Sequence, residues 1–156
     1  MPSSHFNQAG QAIMVDIADK NVTVRTAVAC GRIHLNTESF LAVKNGTASK
    51  GDVLGVARIA SIMAVKRTAE LIPLCHHLLL NSVTVDFILH EERSELECFC
   101  KVGCDGKTGV EMEALTGVSI ALLTVYDMCK SMDKGMEIGG IHLLSKEGGR
   151  SGRYQA

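Results

Sequence analysis

The segment MEALTGVSIALLTVYDMCKSM, residues 112–132, is apolar around most of its circumference. A helix without a broad polar face has to be covered on several sides. In a chain of 156 residues it belongs in the interior, and its neighbours must supply the layers that enclose it. VTVRTAVACGRIHL, residues 22–35, is β-branched and alternates at its start, which predicts a strand. NTESFLAVKNG predicts a short helix, with Asn36 or Thr37 as its cap and Gly46 as its left-handed stop. From Ser49 onward, apolar residues recur at helical spacing through Val53, Val56, Ala57, Ala60, Met63, Ala64 and Leu71, predicting one long helix closed by Pro73. NSVTVDFILH sets Val83, Val85, Phe87 and Leu89 on one face, EERSE makes a charged turn, and LECFCKVGC alternates again, so the three form a hairpin. A last strand, MEIGGIHLLSK, precedes the glycine-rich EGGRSGR.

The order β-α-α-β-β-α-β implies an α+β fold: an antiparallel or mixed sheet with helices packed on one face, a ferredoxin-like layer architecture. A single domain over residues 1–156 is expected, with 1–13 and 152–156 flexible. The polar start lacks a charged-then-apolar leader, and no uncharged apolar run reaches the roughly 18 residues a membrane helix needs, so neither export nor a membrane partner is expected. Six cysteines are scattered among ordinary core positions, which suits a reducing compartment and gives a cytoplasmic expectation. A formal net charge of −1 offers no global attraction to nucleic acid, so anion binding has to come from local clusters. The cations fall in short groups: Lys50 beside Gly51, Lys66 with Arg67, Lys130 with Lys134, and Lys146 with Arg150 and Arg153. Near flexible glycines, such groups suit a polyphosphate.

The stretch GKTGVEMEALTG, residues 106–117, is the most ambiguous. A phosphate-binding P-loop requires a glycine five residues before its Gly-Lys pair, and Lys101 stands there, so Gly106, Lys107 and Thr108 read as a tight turn. Thr108 and Glu111 have capping-box spacing, and acidic residues in a first helical turn gain roughly 0.3–1 kcal/mol from the dipole. The alternative, a working carboxylate pair at Glu111 and Glu113, requires extended backbone, because residues two apart diverge by about 200° on a helix. Spacing alone favours the cap. Asp127 and Lys130, three apart, share a face. They are either a surface ion pair of little worth or, in the mostly apolar TVYDMCKSM, a lysine that loses proton affinity and serves as an acid or base near neutrality. Adjacent His76 and His77 point in different directions and are poorly placed to share a metal. Cys98, Cys100 and Cys104 lack the second pair a structural zinc site wants, and Cys98 and Cys100 share the core face of a strand.

Three blocks, KGDVLGVARIASIMAVKRTAELIPLCH, GKTGVEMEALTGVSIALLTVYDMCK and LLSKEGGRSG, resemble the signature segments of the MoaC family of molybdenum-cofactor biosynthesis, the cyclic pyranopterin monophosphate synthases. The resemblance runs from about Met14 to Gly152. It implies an enzyme that converts 3′,8-cyclo-7,8-dihydroguanosine triphosphate to cyclic pyranopterin monophosphate with release of pyrophosphate, assembled as a hexamer built from a trimer of dimers. It further implies catalytic roles for Asp127, Lys130 and Lys50, and substrate contacts from Leu74, Cys75, His76, Glu111, Met112 and Glu113. Arg25, Lys66, Lys146 and Arg150 are candidates for the triphosphate. No redox cofactor is implied, and Mg²⁺ is the accessory ion a triphosphate would bring. The chain departs from the family pattern at His77 and at Gly140, where proline is common.

Fourteen residues separate Glu113 from Asp127 on one predicted helix, roughly 21 Å at 1.5 Å per residue. Lys50 and His76 bracket the other long helix. One small nucleotide cannot easily touch both ends, so the site is expected to be composite between subunits, and mixing Lys50→Ala with Lys130→Ala chains is expected to restore partial activity. Two other classes of function remain open at this level. One is a non-catalytic polyphosphate binder using the same cations, and the other a thiol or zinc module on Cys98, Cys100 and Cys104.

Overall fold

The apolar helix is enclosed as its composition demands. In the computed structural model, which describes residues 5–149 and 152–156, it forms α4 (Glu111–Cys129) between a sheet and a second helix. Val118, Ala121, Leu122 and Val125 are fully buried. By length and mean composition alone α4 could cross a membrane if its charged residues were tolerated, but its apolar surface is spent on the core.

The sheet contains β1 (Thr23–His34), β2 (Leu80–His90), β3 (Glu95–Gly106), β4 (Glu137–Glu147) and the short β5 (Tyr154–Gln155). Its order is β2-β3-β1-β4-β5, and every neighbouring pair is antiparallel. The hairpin lies in the expected register, with Val85 opposite Cys100 and Phe87 opposite Cys98, joined by a 3-10 turn at Glu91–Arg93. Strand β1 is central, and its small residues let the helical layer approach. A side chain at Gly31 would meet Val118 Cγ1 and Ile141 Cγ1 at 2.8 Å.

Helix α1 (Thr37–Asn45) is capped by Asn36, whose side chain accepts from the Ser39 amide, and ends at left-handed Gly46. Helix α2 (Val53–Lys66) starts on Asp52, which accepts from the Gly55 amide at 2.9 Å. The single long helix expected up to Pro73 is in fact broken at Arg67, and α3 (Thr68–Leu71) follows. Buried Thr68 turns its hydroxyl back onto the Ala64 and Val65 carbonyls, which satisfies them where the helix is interrupted. Helices α2 and α4 pack on the same face of the sheet and run antiparallel. Lys50, just ahead of α2, meets Asp127 in the last turn of α4, while Ser61 further along donates to the Gly117 carbonyl at 2.8 Å. Their crossing is close because Gly117 has no side chain: a Cβ there would lie 2.6 Å from Cys100 Sγ and 2.7 Å from Val65 Cγ2.

The expected last strand carries two irregularities. Cys30 pairs with His142 and Arg32 with Gly139, so β4 holds an extra residue there, and a second lies between Leu143 and Ser145. Gly140 sits in the first of these bulges at φ 62°, a conformation closed to proline, whose ring fixes φ near −65°. At that position the departure from the family pattern is therefore a change of local backbone, not only of residue.

Candidate active site

The candidate site residues gather at the two ends of the antiparallel helix pair. At the C-terminal end of α4, Lys130 Nζ lies 2.6 Å from Asp127 Oδ1. Lys50 Nζ donates to the Asp127 carbonyl at 3.0 Å and lies 3.4 Å from Oδ2. One aspartate thus holds two lysines from different elements. The loop beneath them is fixed by buried Asp133, which accepts from the amides of Asn36 at 2.6 Å and Gly135 at 2.9 Å, tying the exit of α4 to the start of α1.

The hydrogen bond and charge of Lys130, with Lys50 adding to both, hold the Asp127 carboxyl below its ordinary range. Asp127 in turn raises the affinity of Lys130 for its proton. Of the two alternatives left open by the sequence, the exposed ion pair is the one the fold adopts. The side chains of Lys130 and Asp127 are 54% and 59% exposed, so desolvation is slight and pairing dominates.

At the other end, α4 begins at Glu111, after Val110, with no side-chain cap, so the capping box between Thr108 and Glu111 does not form. Nor is the backbone extended through Glu113. The two glutamates diverge from the first turn into different surroundings. Glu111 pairs with Lys146 at 2.8 Å, whereas Glu113 is 5% exposed. Burial raises the affinity of the Glu113 carboxyl for its proton, its own backbone hydrogen bond partly opposes this, and the charge of Glu111 reinforces it.

Each glutamate lines its own chamber. The first, about 470 Å³, is walled by Leu74, Cys75, His76, Met112 and Glu113, with Val15 and Ile17 from the N-terminal segment. The second, about 410 Å³, collects Lys20, Arg25, Lys107 and Lys146 around Glu111, Gly148 and Gly149. Lys20 and Thr108 belong to both walls, so the chambers adjoin. Arg25 is steered by donating from Nε to the Gly106 carbonyl at 3.2 Å, and its guanidinium occupies the space a side chain on Gly149 would need. His76 Nε2 lies 2.7 Å from the Val15 carbonyl. A carbonyl only accepts, so Nε2 carries the hydrogen and Nδ1 is left as an acceptor. Lys66 is exposed and lies apart from both chambers, beside a pocket of about 30 Å³ that it shares with His76, His77 and Glu113. Arg150 lies outside the described residues.

The resemblance groups Lys50, Asp127 and Lys130 as catalytic and Leu74, Cys75, His76, Glu111, Met112 and Glu113 as substrate contacts; the fold brings the first three together and gathers the others in one chamber wall, except Glu111, which lines the second chamber. The sequence reading passes over Lys20 and Lys107. Lys107 belongs to the incomplete P-loop: the Gly-Lys-Thr is a turn between β3 and α4, as its sequence predicts, and it also forms chamber wall. Lys20 lies in a polar leader with no periodicity to mark it. Cys98, Cys100 and Cys104 point into the core, and burial pushes the Cys98 and Cys100 thiols up to about 12 and about 11, which fits protonated core residues. Among the described residues, no three His, Cys, Asp or Glu side chains are grouped to hold a metal ion.

A lysine-aspartate-lysine cluster and a pair of adjoining chambers, one partly apolar and one cationic, suit an enzyme acting on a small molecule. Residues 14–149 match the MoaC family, and the chain belongs to it. It is 58% identical to the cyclic pyranopterin monophosphate synthase of Clostridium botulinum (strain Alaska E43 / Type E3), over 97% of this chain and 95% of that one. Proteins of the same name from Chloroflexus aurantiacus (strain ATCC 29366 / DSM 635 / J-10-fl) and Clostridium perfringens (strain 13 / Type A) are 55% and 50% identical, each over 97% of this chain and over 93% and 96% of their own.

Proposed function

We propose that this protein converts (8S)-3′,8-cyclo-7,8-dihydroguanosine 5′-triphosphate to cyclic pyranopterin monophosphate, releasing pyrophosphate, as a cytoplasmic step of molybdenum cofactor biosynthesis. The observation that carries this reading is the adjoining chamber pair in a chain so similar to proteins named for that product. The substrate is likewise two-part, a purine-derived ring joined to a triphosphate. The ring fits the chamber of His76, Met112 and Glu113, and the triphosphate fits the chamber of Arg25, Lys107 and Lys146, with Lys20 at the junction.

The conversion has to open the five-membered ring of the purine-derived part with water, rebuild it as the six-membered pyrazine of a pterin, and close a cyclic phosphate as pyrophosphate leaves. Each stage moves protons and none requires oxidation. Lys130, oriented by Asp127, is the principal general acid, and Lys50 is a second acid or a phosphate partner. Mg²⁺, where it takes part, arrives with the triphosphate.

These lysines belong to the opposite end of α4 from the chambers, roughly 21 Å away along 14 helical residues. The active site is therefore composite: the Lys50-Asp127-Lys130 end of one subunit closes over the chambers of another. Burial there would also desolvate Lys130 and reduce its hold on the proton, which the free subunit does not do. Exposed Val56, Ile59 and Met63 form an apolar stripe along α2 that suits association into the expected hexamer. The test is incubation of the purified protein with enzymatically generated cyclic dihydro-GTP. Pterin product and pyrophosphate in equal amounts are expected, and no product would overturn the reading.

A further inference from the structure

The N-terminal segment ahead of β1 has no regular structure through Val15–Lys20, yet it forms the outer wall of the ring chamber. Two side chains from the body of the fold grip it. His76 donates to the Val15 carbonyl at 2.7 Å, and Lys107 Nζ donates to the Ala18 carbonyl at 2.6 Å. Between these grips, Asp16 Oδ1 accepts from the Ala18 amide at 2.8 Å and shapes a tight turn. Val15 and Ile17 are half-buried against the chamber, while Ala18, Asp19 and Lys20 are exposed. The carbonyl that Lys107 holds is two residues from Lys20, the cation shared by both walls.

We propose that Val15–Lys20 is a strap closing the ring chamber, and that Lys107 is a positioning residue that fixes the strap and so sets Lys20 at the junction of the chambers. The inference rests on the nucleotide reading of those chambers. Substrate entry and product exit require the strap to lift, because it covers the ring. With two side-chain grips and no strand or helix of its own, it can do so without disturbing the sheet. The exposed ammonium of Lys107 is not spent on a carboxylate, and its bond to a main-chain carbonyl is readily exchanged for one to water or phosphate.

The test uses the full-length protein with Lys107→Met, which keeps the length and removes the donor, Lys107→Arg, which restores a donor, and Asp16→Ala, which removes the turn. Hydrogen exchange is read at the amides of residues 15–20 without ligand and with inorganic triphosphate, alongside steady-state kinetics. Lys107→Met and Asp16→Ala are expected to speed exchange there about tenfold in the ligand-free protein and to raise KM about tenfold, with kcat within twofold. Lys107→Arg is expected to recover most of both. A Lys107 that only bound phosphate would leave ligand-free exchange unchanged, and that result overturns the proposal, as does a fall in kcat at constant KM. If the parent protein forms no pterin product, the nucleotide reading fails, while ligand-free exchange still decides whether Lys107 holds the strap.

Discussion

Asp127 is coupled to two lysines, and these neighbours set the direction of its titration. With two lysines on it, its carboxyl titrates below the ordinary value of 3.8, and whatever the pairs contribute to the fold is present above that value and lost as pH falls through the lowered one. Replacing Lys130 with alanine is expected to return the Asp127 titration towards 3.8, measured by carbon-detected NMR of the carboxyl. The same variant should lower kcat by roughly 10²–10⁴, the usual worth of a positioned acid, with nucleotide affinity little changed. Glu113 has the opposite sign. Its folded-state affinity for the proton is raised, so the neutral form is preferred in the fold, and a penalty develops as pH rises from 4.5 towards the raised value. Glu113→Gln is expected to be more thermostable than the parent at pH 8 and indistinguishable at pH 4. Equal melting temperatures at both would contradict the burial argument. Much of this was legible in the sequence: Asp127 and Lys130 lie at helical spacing. What was not legible was the solvent around Lys130, because apolar neighbours in sequence lie on the buried faces of α4 and leave its last turn open.

At the level of elements, α4 was readable because its apolar circumference admits only a buried position, and the hairpin because its alternation fixes which face meets α4. The break at Arg67 was not readable. It depends on what Thr68 bonds to, and helical periodicity runs straight through it. The ends of α4 were harder again, because the capping-box spacing of Thr108 and Glu111 competes with the pairing of Glu111 to Lys146, a residue 35 positions later. Tight packing between α2 and α4 gives a prediction with competing terms. Gly117→Ala would gain about 1 kcal/mol in helix propensity, but overpacking against buried Cys100 and Val65 costs about 1–3 kcal/mol. Lower stability is expected, seen as a lower urea midpoint, and a higher midpoint would show that α2 shifts freely. In β4, Gly140→Pro is expected to cost roughly 1–3 kcal/mol, because it removes the left-handed conformation of the bulge. A melting temperature equal to the parent's would mean the strand repacks without that bulge.

Over the whole molecule, the subunit is polarised by its two antiparallel helices: the Lys50-Asp127-Lys130 cluster proposed to handle protons at one end, the chambers proposed for ring and phosphates at the other. Family blocks in the sequence pointed to both sets of residues, and helix length alone implied that they could not meet within one chain. The partner surface was less legible, since the stripe of Val56, Ile59 and Met63 looks in sequence like ordinary helix core. The structure also changes which variants should complement each other. Lys50 and Lys130 contact the same Asp127, so chains lacking one and chains lacking the other damage the same half-site and should not rescue one another in a mixture. Lys130→Ala and His76→Ala damage opposite halves. Random pairing about a two-fold axis makes half the dimers mixed, each with one intact site, so about a quarter of parental sites should survive. The direct measurement is turnover of cyclic dihydro-GTP by co-assembled Lys130→Ala and His76→Ala chains. The composite site predicts recovery to about a quarter of parental activity, and activity no greater than the sum of the two inactive variants would contradict it.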